Sequence, residues 1–556
     1  MPPRPLAAPT WLVLLAAVAL GWQLGRHHLL DPDEGRNAEV AREMAQSNDY
    51  LVPRLDGLPY LDKPIVYFAA AAGAMELLGP TETAARLPAY LATLATLALL
   101  AWFAGRRWGL AAGAIAALAY ATTVLPLAYA RTAIFDSTLT LCTTAAILWF
   151  AEDRPAAAWA AMAVGALTKG PVALAVPLLA LVPHAALAGL SVRRLFPWRG
   201  LALFAAIALP WCIAVSLREP DFPRYVFVRE TFERVTTRAF HRAAPLWYYL
   251  PIFPIAAFPW IAPALARVRH AGAAWRARRD PEAAEPLLFA CWVLVPLLFF
   301  TLNQSKLPQY VLPLVPAVAL AATRNLVVHG AATGARGYAA VAAVLGAALL
   351  ALPRWLPVPL ALTPAEKAAI PPAAAALGAV TLASAALVAV GAWRGLGRTT
   401  LAGYAAVVIA IPFASGRLLA AVGDDRSAAA LAAAVAAALG RTAPAGAVLG
   451  VAAYPPSLPF YLGRPVAVAT ATGAELTSTY IADHAERLRT APGSPLLPAG
   501  YWRDVLERCP VPTVFVAKAD NRAARAALAA ALPLVAAGGR YAAYGPCRPR
   551  PAGEAR

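Results

Sequence analysis

GLAAGAIAALAYATTVLPLAY, residues 109–129, is the stretch that decides the fold. It carries no charged side chain, and a helix of that length crosses the roughly 30 Å hydrocarbon core of a bilayer. Runs of the same kind recur at 10–28, 86–104, 137–151, 156–168, 171–189, 200–217, 246–265, 287–302, 308–326, 337–352, 372–392 and 400–420. The chain therefore reads as a polytopic membrane protein with about thirteen spans. Pro126, Pro177, Pro296 and Pro313 fall inside spans, which neighbouring helices tolerate in a membrane. Of the 556 residues 60% are hydrophobic and 14% charged, against about 25% charged in soluble domains. That composition excludes a disordered chain, a collagen-like one and a disulfide-dense secreted scaffold.

The apolar run from Trp11 to Leu24 resembles a signal peptide, but no Ala-x-Ala site precedes Asp31, so it reads as a retained first span. If the spans alternate, Arg106–Arg107, Arg193–Arg194–Arg199, Arg276–Arg278–Arg279 and Arg394–Arg398 share one side, which the positive-inside rule makes cytoplasmic. The tail then lies outside. A formal charge of +18 comes without a short basic tract interleaved with aromatics, so nucleic acid is not an expected partner.

The tail changes character. Ala447–Tyr454 and Val511–Ala517 read as short buried strands among Ala-rich helices, with turns at Pro455–Pro456 and Leu462–Gly463. The expected fold class is an all-α polytopic membrane protein with a small α/β C-terminal domain. Residues 1–424 form the membrane domain, with a first outer loop at 29–85, and 425–556 form the outer domain. Cys142, Cys212 and Cys291 sit in or beside spans as inert thiols, whereas Cys509 and Cys547 both fall in the tail, where an oxidising compartment permits a disulfide.

Chemistry gathers on the outer side. Twelve charged residues lie between Asp31 and Lys63. Glu39 and Glu43 are one helical turn apart, as in an amphipathic helix lying on the membrane surface, and Glu39, Arg42, Glu43 and Asp49 read as solvated. Asp33 and Glu34 directly follow the first span. Asp33 suits a helix N-cap over Gly35–Met44; the pair also suits a catalytic or metal-related role. The same face receives Tyr60, Asp62, Lys63, Arg131, Asp136 and Lys169, the loop Arg218–Ala244 with Arg224, Arg229, Glu230, Glu233, Arg234, Arg238, His241 and Arg242, and then Lys306 and Tyr310. Ionisable groups at span edges are costly and mark function. Lys63, Lys306 and loop arginines suit a phosphate-bearing substrate. Asp33 or Asp136 suits orienting an attacking group or taking its proton. His241 with Asp62 or Glu34 suits a divalent ion such as zinc.

At Asp33-Glu34-Gly35-Arg36-Asn37-Ala38-Glu39, Tyr60-Leu61-Asp62-Lys63-Pro64, Ala130-Arg131-Thr132-Ala133-Ile134-Phe135-Asp136, Thr168-Lys169-Gly170-Pro171, Ser305-Lys306-Leu307-Pro308-Gln309-Tyr310 and Ser457–Pro465, the chain resembles the bacterial lipid-carrier-dependent glycosyltransferases of the GT-C type. Within them it is similar to the lipid A aminoarabinose transferases, and more distantly to protein O-mannosyltransferases. The resemblance implies a multi-pass inner-membrane enzyme whose active site and C-terminal domain face the periplasm. It also implies a sugar donor on polyprenyl (undecaprenyl) phosphate, inverting transfer, and lipid A or another envelope acceptor. By position, Asp33 matches the catalytic acid with Glu34 beside it, and Asp136 a second cavity acid. Lys63 and Tyr310 match the carrier-phosphate contacts, with Arg36 and Tyr60 nearby and Arg131, Lys169 and Lys306 as further substrate-binding groups. Asp62 and His241 match a metal pair. Two positions depart: Asp62 stands where Glu is expected, and Asn37 where an aromatic is common. Two alternatives remain at this stage, transfer of another sugar to protein or glycan hydroxyls and transport of a lipid-linked glycan. Transporter folds often carry internal repeats, and no repeat is visible here.

Overall fold

The computed structural model describes residues 10–226, 229, 244–280, 283–355, 362–440 and 447–548. Two compact units emerge from the packing, one of residues 1–23 with 88–418 and one of 24–87 with 419–556. The first loop thus falls in one unit with the tail, a division different from the linear one at 424/425.

The first unit is helical. Among the described residues seven helices are long and apolar enough to cross a membrane, and nine if each bent pair counts as one span. Each of the thirteen expected segments does form helix. However, Thr10–Gly21, Asp136–Ala151, Pro155–Lys169 and Val172–Ala188 are only 12, 16, 15 and 17 residues long. The deciding stretch itself is broken: Leu110–Ala121 and Val124–Ala130 meet at 67°, where Thr123 adopts extended backbone. The segment at 246–265 bends by 111° around Pro259, which has no amide hydrogen to continue a helix.

Polar groups inside this unit bond locally. Thr93, Thr96, Thr122, Thr140 and Thr323 return their hydroxyls to the carbonyl four residues earlier. The buried indoles of Trp260 and Trp292 donate to Thr122 Oγ1 (2.9 Å) and to the Pro313 carbonyl (2.9 Å). Meanwhile Leu110, Leu217 and Trp393 remain outward-facing, as side chains meeting lipid do.

The second unit holds a six-stranded mixed sheet in the order β5-β4-β3-β6-β8-β7, from β3 (Val448–Val451), β4 (Ala467–Ala469), β5 (Leu496–Leu497), β6 (Val514–Lys518), β7 (Leu534–Gly538) and β8 (Tyr541–Tyr544). Strands β3 to β6 pair in parallel, while β8 and β7 add antiparallel. β3 is buried along its whole length, as a central parallel strand with both faces covered must be. A two-stranded hairpin, β1 (Arg54–Leu55) and β2 (Leu58–Pro59), turns at Asp56–Gly57 with positive φ at both residues, the geometry that an Asp-Gly turn favours. Cys509 and Cys547 form a disulfide with Cα atoms 5.9 Å apart.

The helix Asp33–Ser47 corrects two expectations. It does not lie on a surface: Glu34, Arg36, Asn37, Glu39 and Arg42 are all buried, packed against Val66–Leu78 and Leu458–Leu462. Glu39 and Arg42 are therefore not solvated; they pair with each other at 2.6 and 2.7 Å. Nor is Asp33 the N-cap, a position taken by Pro32 without a side-chain cap. Gly35 permits this packing, because a Cβ there would stand 2.2 Å from Asp31 Oδ1 and 2.5 Å from the Ser457 amide.

Candidate active site

In the second unit the acidic pair is split by the helix that carries it. Asp33 stays partly exposed and accepts from Arg36 Nη2 at 2.6 Å, three residues on. Arg36 is itself buried, donates Nη1 to the Thr477 carbonyl (2.9 Å) and hydroxyl (3.1 Å), and lies 5.8 Å above the Tyr60 ring. The charges of Tyr60, Asp33 and Asp62 raise its pKa against the opposing effect of burial, so the cation beside Asp33 is permanent. Glu34 points the other way. Its carboxylate grips Arg86 at 2.8 and 2.9 Å and accepts the Leu30 amide at 3.0 Å, which makes it an architectural anion rather than half of an exposed catalytic pair.

The Tyr60–Pro64 turn is held by the tail. Asp62 accepts the amides of Thr479 (3.1 Å) and Tyr480 (3.0 Å), supplying the first turn of the helix Thr479–Asp483 with acceptors. That anchor positions Lys63, whose ammonium donates to the Asp62 carbonyl. Among the described residues Asp62 belongs to no cluster of metal-ligating side chains, and His241 lies outside the described residues.

The same unit has a cleft of about 210 Å³ lined by Asp31, Arg426, Glu475, Lys518, Arg540 and Tyr541 among others. It opens beyond the carboxyl ends of β3 and β6, where the strand order reverses and open α/β sheets bind ligands. Burial pushes Asp31 up to about 8, against the hydrogen bond from Ser457 at 2.9 Å.

The first unit gathers a second group. Asp136 is the first residue of its helix and Lys169 the last of Pro155–Lys169, so each charge sits at the helix end whose dipole favours it. Their side chains meet at 2.5 Å, both largely buried. The Lys169 ammonium also lies 5.3 Å from the Tyr310 ring centroid. Next to Tyr310, Gln309 accepts from the Tyr129 hydroxyl at 3.0 Å. Lys306 donates to the carbonyls of Ala244 (3.0 Å) and Asn303 (2.5 Å), and desolvation lowers its pKa. Arg131 is buried in the turn just before Asp136. Asp33, Glu34, Arg36, Tyr60, Asp62 and Lys63 thus fall in one unit, and Arg131, Asp136, Lys169, Lys306 and Tyr310 in the other. Of the loop at 218–244, Glu230, Glu233, Arg234, Arg238, His241 and Arg242 lie outside the described residues.

Sequence reasoning missed Arg86, a lone cation at the head of an apolar run, which is itself a signal of a buried partner. It also missed Thr477 and Thr479, which announce themselves by no spacing.

A solved structure of ArnT from Cupriavidus metallidurans bound to undecaprenyl phosphate superposes with a TM-score of 0.79 at 25% identity, over 97% of this chain and 99% of that one. The fold is GT-C. Within that fold the chain resembles the aminoarabinose transferases. The undecaprenyl phosphate-α-4-amino-4-deoxy-L-arabinose arabinosyl transferase of Aeromonas hydrophila is 33% identical over 321 residues, 55% of this chain and 57% of the relative. That of Edwardsiella ictaluri is 35% identical over 299 residues, 51% of this chain and 53% of the relative. The chain spans just over half the length of the curated relatives it matches. The family of dolichyl-phosphate-mannose-protein mannosyltransferases matches residues 62–214, the stretch that holds Asp62, Lys63, Arg131, Asp136 and Lys169 of this GT-C chain.

Proposed function

We propose that this chain is an inverting membrane glycosyltransferase. In this reading it moves a sugar from a polyprenyl phosphate carrier to an envelope acceptor, and specifically 4-amino-4-deoxy-L-arabinose from undecaprenyl phosphate to a lipid A phosphate. The reading places it in the bacterial inner membrane with its chemistry on the periplasmic side. The observation that carries it is the match along nearly the whole chain to a structure that holds undecaprenyl phosphate.

The chemistry follows from the side chains. The bond between the anomeric carbon and the carrier phosphate breaks, the phosphate leaves with the electron pair, and the acceptor oxygen closes on the opposite face. Negative charge accumulates on the leaving phosphate, and fixed cations such as Lys63 stabilise it. Asp33 is the partly exposed carboxylate at the head of its helix, and Arg36 holds it in one orientation. A phosphate acceptor arrives already ionised, so Asp33 then orients it; a hydroxyl acceptor gives its proton to Asp33. The other unit carries a cation of its own, Lys169, pre-set by the Asp136 carboxylate beside the Tyr310 ring.

Mass spectrometry of lipid A from cells with and without the gene tests the proposal. The pentosamine increment on the phosphates is lost on deletion, returns with the wild-type gene, and fails to return with Asp33→Asn at matched protein level. An unchanged lipid A in a strain that carries the modification overturns the aminoarabinose assignment.

A further inference from the structure

The cleft at the carboxyl ends of β3 and β6 has no part in the chemistry described above, yet its walls are tied to one another. The Asp31 amide donates to the Arg426 carbonyl at 2.8 Å, and the Ala519 amide to the Arg540 carbonyl at 2.7 Å. The segment ahead of the helix Asp33–Ser47 is thereby joined to the one ahead of the helix Ala429–Leu439, and the end of β6 to the start of β8. Gly539, at φ 54°, lets the β7–β8 turn close on Asp425, because a Cβ there would stand 2.5 Å from the Asp425 carbonyl oxygen. The enclosed space of about 210 Å³ falls below the roughly 300–1,000 Å³ of drug-sized sites, and so suits one small group.

Its cations call for an anion. Arg426, Lys518 and Arg540 all line the cleft, and none of the three is in an ion pair among the described residues. Lys518 pairs across the ladder with Tyr541, the residue after Arg540, so two like charges sit at neighbouring positions on the end of the sheet. Such a placement costs free energy unless an anion lies between them, and Arg with Lys is a donor set for phosphate.

The remaining lining suits a sugar. Asp425 and Glu475 bring carboxylate oxygens that accept from hydroxyls, and Glu475 already takes the Thr470 hydroxyl at 2.5 Å. Tyr541 adds an aromatic ring with a polar end. Thr477, on the same wall, leads to Asp33. It sits at φ 56°, a left-handed backbone that a β-branched residue rarely adopts. Its carbonyl and hydroxyl accept from Nη1 of Arg36, whose Nη2 holds Asp33.

We propose that this cleft binds a phosphorylated saccharide, with the phosphate on Arg426, Lys518 and Arg540 and the hydroxyls on Asp425 and Glu475. The site stands apart from the transfer step. Only the source of its ligand rests on the glycosyltransferase reading, in which the headgroup of an envelope lipid fills it beside Asp33. A free sugar phosphate carries the same chemistry.

The test titrates the full chain in detergent by calorimetry with glucose 1-phosphate or with glucose, and no sugar donor is present. One glucose 1-phosphate per chain is expected, bound at least roughly tenfold more tightly than glucose, the scale of charge-assisted hydrogen bonds to the phosphate. Lys518→Ala with Arg540→Ala, a half-buried and an exposed position, weakens that binding at least roughly tenfold. Arg522→Ala, an exposed cation of the same unit outside the cleft, leaves it unchanged. Displacement of glucose 1-phosphate by lipid A in the same detergent assigns the site to a lipid headgroup, and lack of displacement assigns it to a free sugar phosphate. Absence of saturable glucose 1-phosphate binding up to about 10 mM overturns the proposal, and so does an affinity that glucose matches or that the double variant keeps. Because no sugar is transferred in this titration, its failure is distinct from failure of the aminoarabinose reading, which the lipid A spectrum tests.

Discussion

Replacing Glu34 by Ala separates structure from chemistry in the acidic pair. Arg86 uses all five of its N–H donors: Nε and Nη2 to the two Glu34 oxygens at 2.8 and 2.9 Å, Nη1 to the carbonyls of Leu24 (2.8 Å) and His27 (2.9 Å), and Nη2 again to His28 (3.1 Å). Its side chain is 0% exposed and that of Glu34 is 2%. Glu34→Ala leaves a buried guanidinium with two donors empty and no counter-charge, a loss of about 3–5 kcal/mol. At 1.4 kcal/mol per decade, the equilibrium for opening this helix shifts by roughly 150- to 4,000-fold. Amide hydrogen exchange over residues 33–47 in the detergent-solubilised chain reads that shift directly. Glu34→Leu with Arg86→Leu recovers most of it, because apolar replacement of both partners is often neutral. Asp33→Asn behaves in the opposite way. Asp33 is 43% exposed and its ion pair is worth about 1 kcal/mol or less, so protection changes little while transfer falls at least roughly tenfold, about 1.4 kcal/mol at the transition state. Protection in Glu34→Ala within about threefold of wild type would refute the reasoning, since a buried unpaired cation cannot cost so little.

Three further outcomes are expected. Lys169→Met takes the Lys169 cation from the buried Asp136 carboxylate and lowers the unfolding midpoint, and adding Asp136→Asn restores at least part of it; no recovery in the double variant argues against a coupled pair. Asp31, raised by burial to about 8 from an unfolded value near 3.9, contributes stability that is complete below about pH 4 and lost as pH rises through 8. Unfolding midpoints of Asp31→Asn should therefore gain on wild type from about pH 4 to 8 and then run parallel; a constant difference would contradict the burial effect. Cys509→Ser opens a crosslink between residues 38 apart, worth about 4 kcal/mol in chain entropy; faster proteolysis of the tail, matched in the wild type by reductant, is the check.

The sequence by itself determined what local chemistry decides. Apolar length and missing charge mark every spanning segment, because a bilayer imposes that composition residue by residue. The tail strands at Val448–Val451 and Val514–Lys518 were legible for the same local reason, as short apolar runs between turns. Motif residues such as Asp33, Lys63 and Tyr310 could be named from their neighbours. Direction and pairing could not. Helical periodicity placed Glu39 and Arg42 on a polar face, yet they are buried, because the hairpin a few turns on and the tail some four hundred positions away cover that helix. Only tertiary packing turned Asp33 outward and Glu34 toward Arg86, since two adjacent helical residues point about 100° apart and whatever covers each side decides their fates. The bends at Thr122–Thr123 and around Pro259, the anchoring of Asp62 by Thr479 and Tyr480, and the meeting of Glu43 with Asp56 are of the same kind. Each depends on which distant segment supplies the missing donor, acceptor or wall, and no spacing along the chain records that.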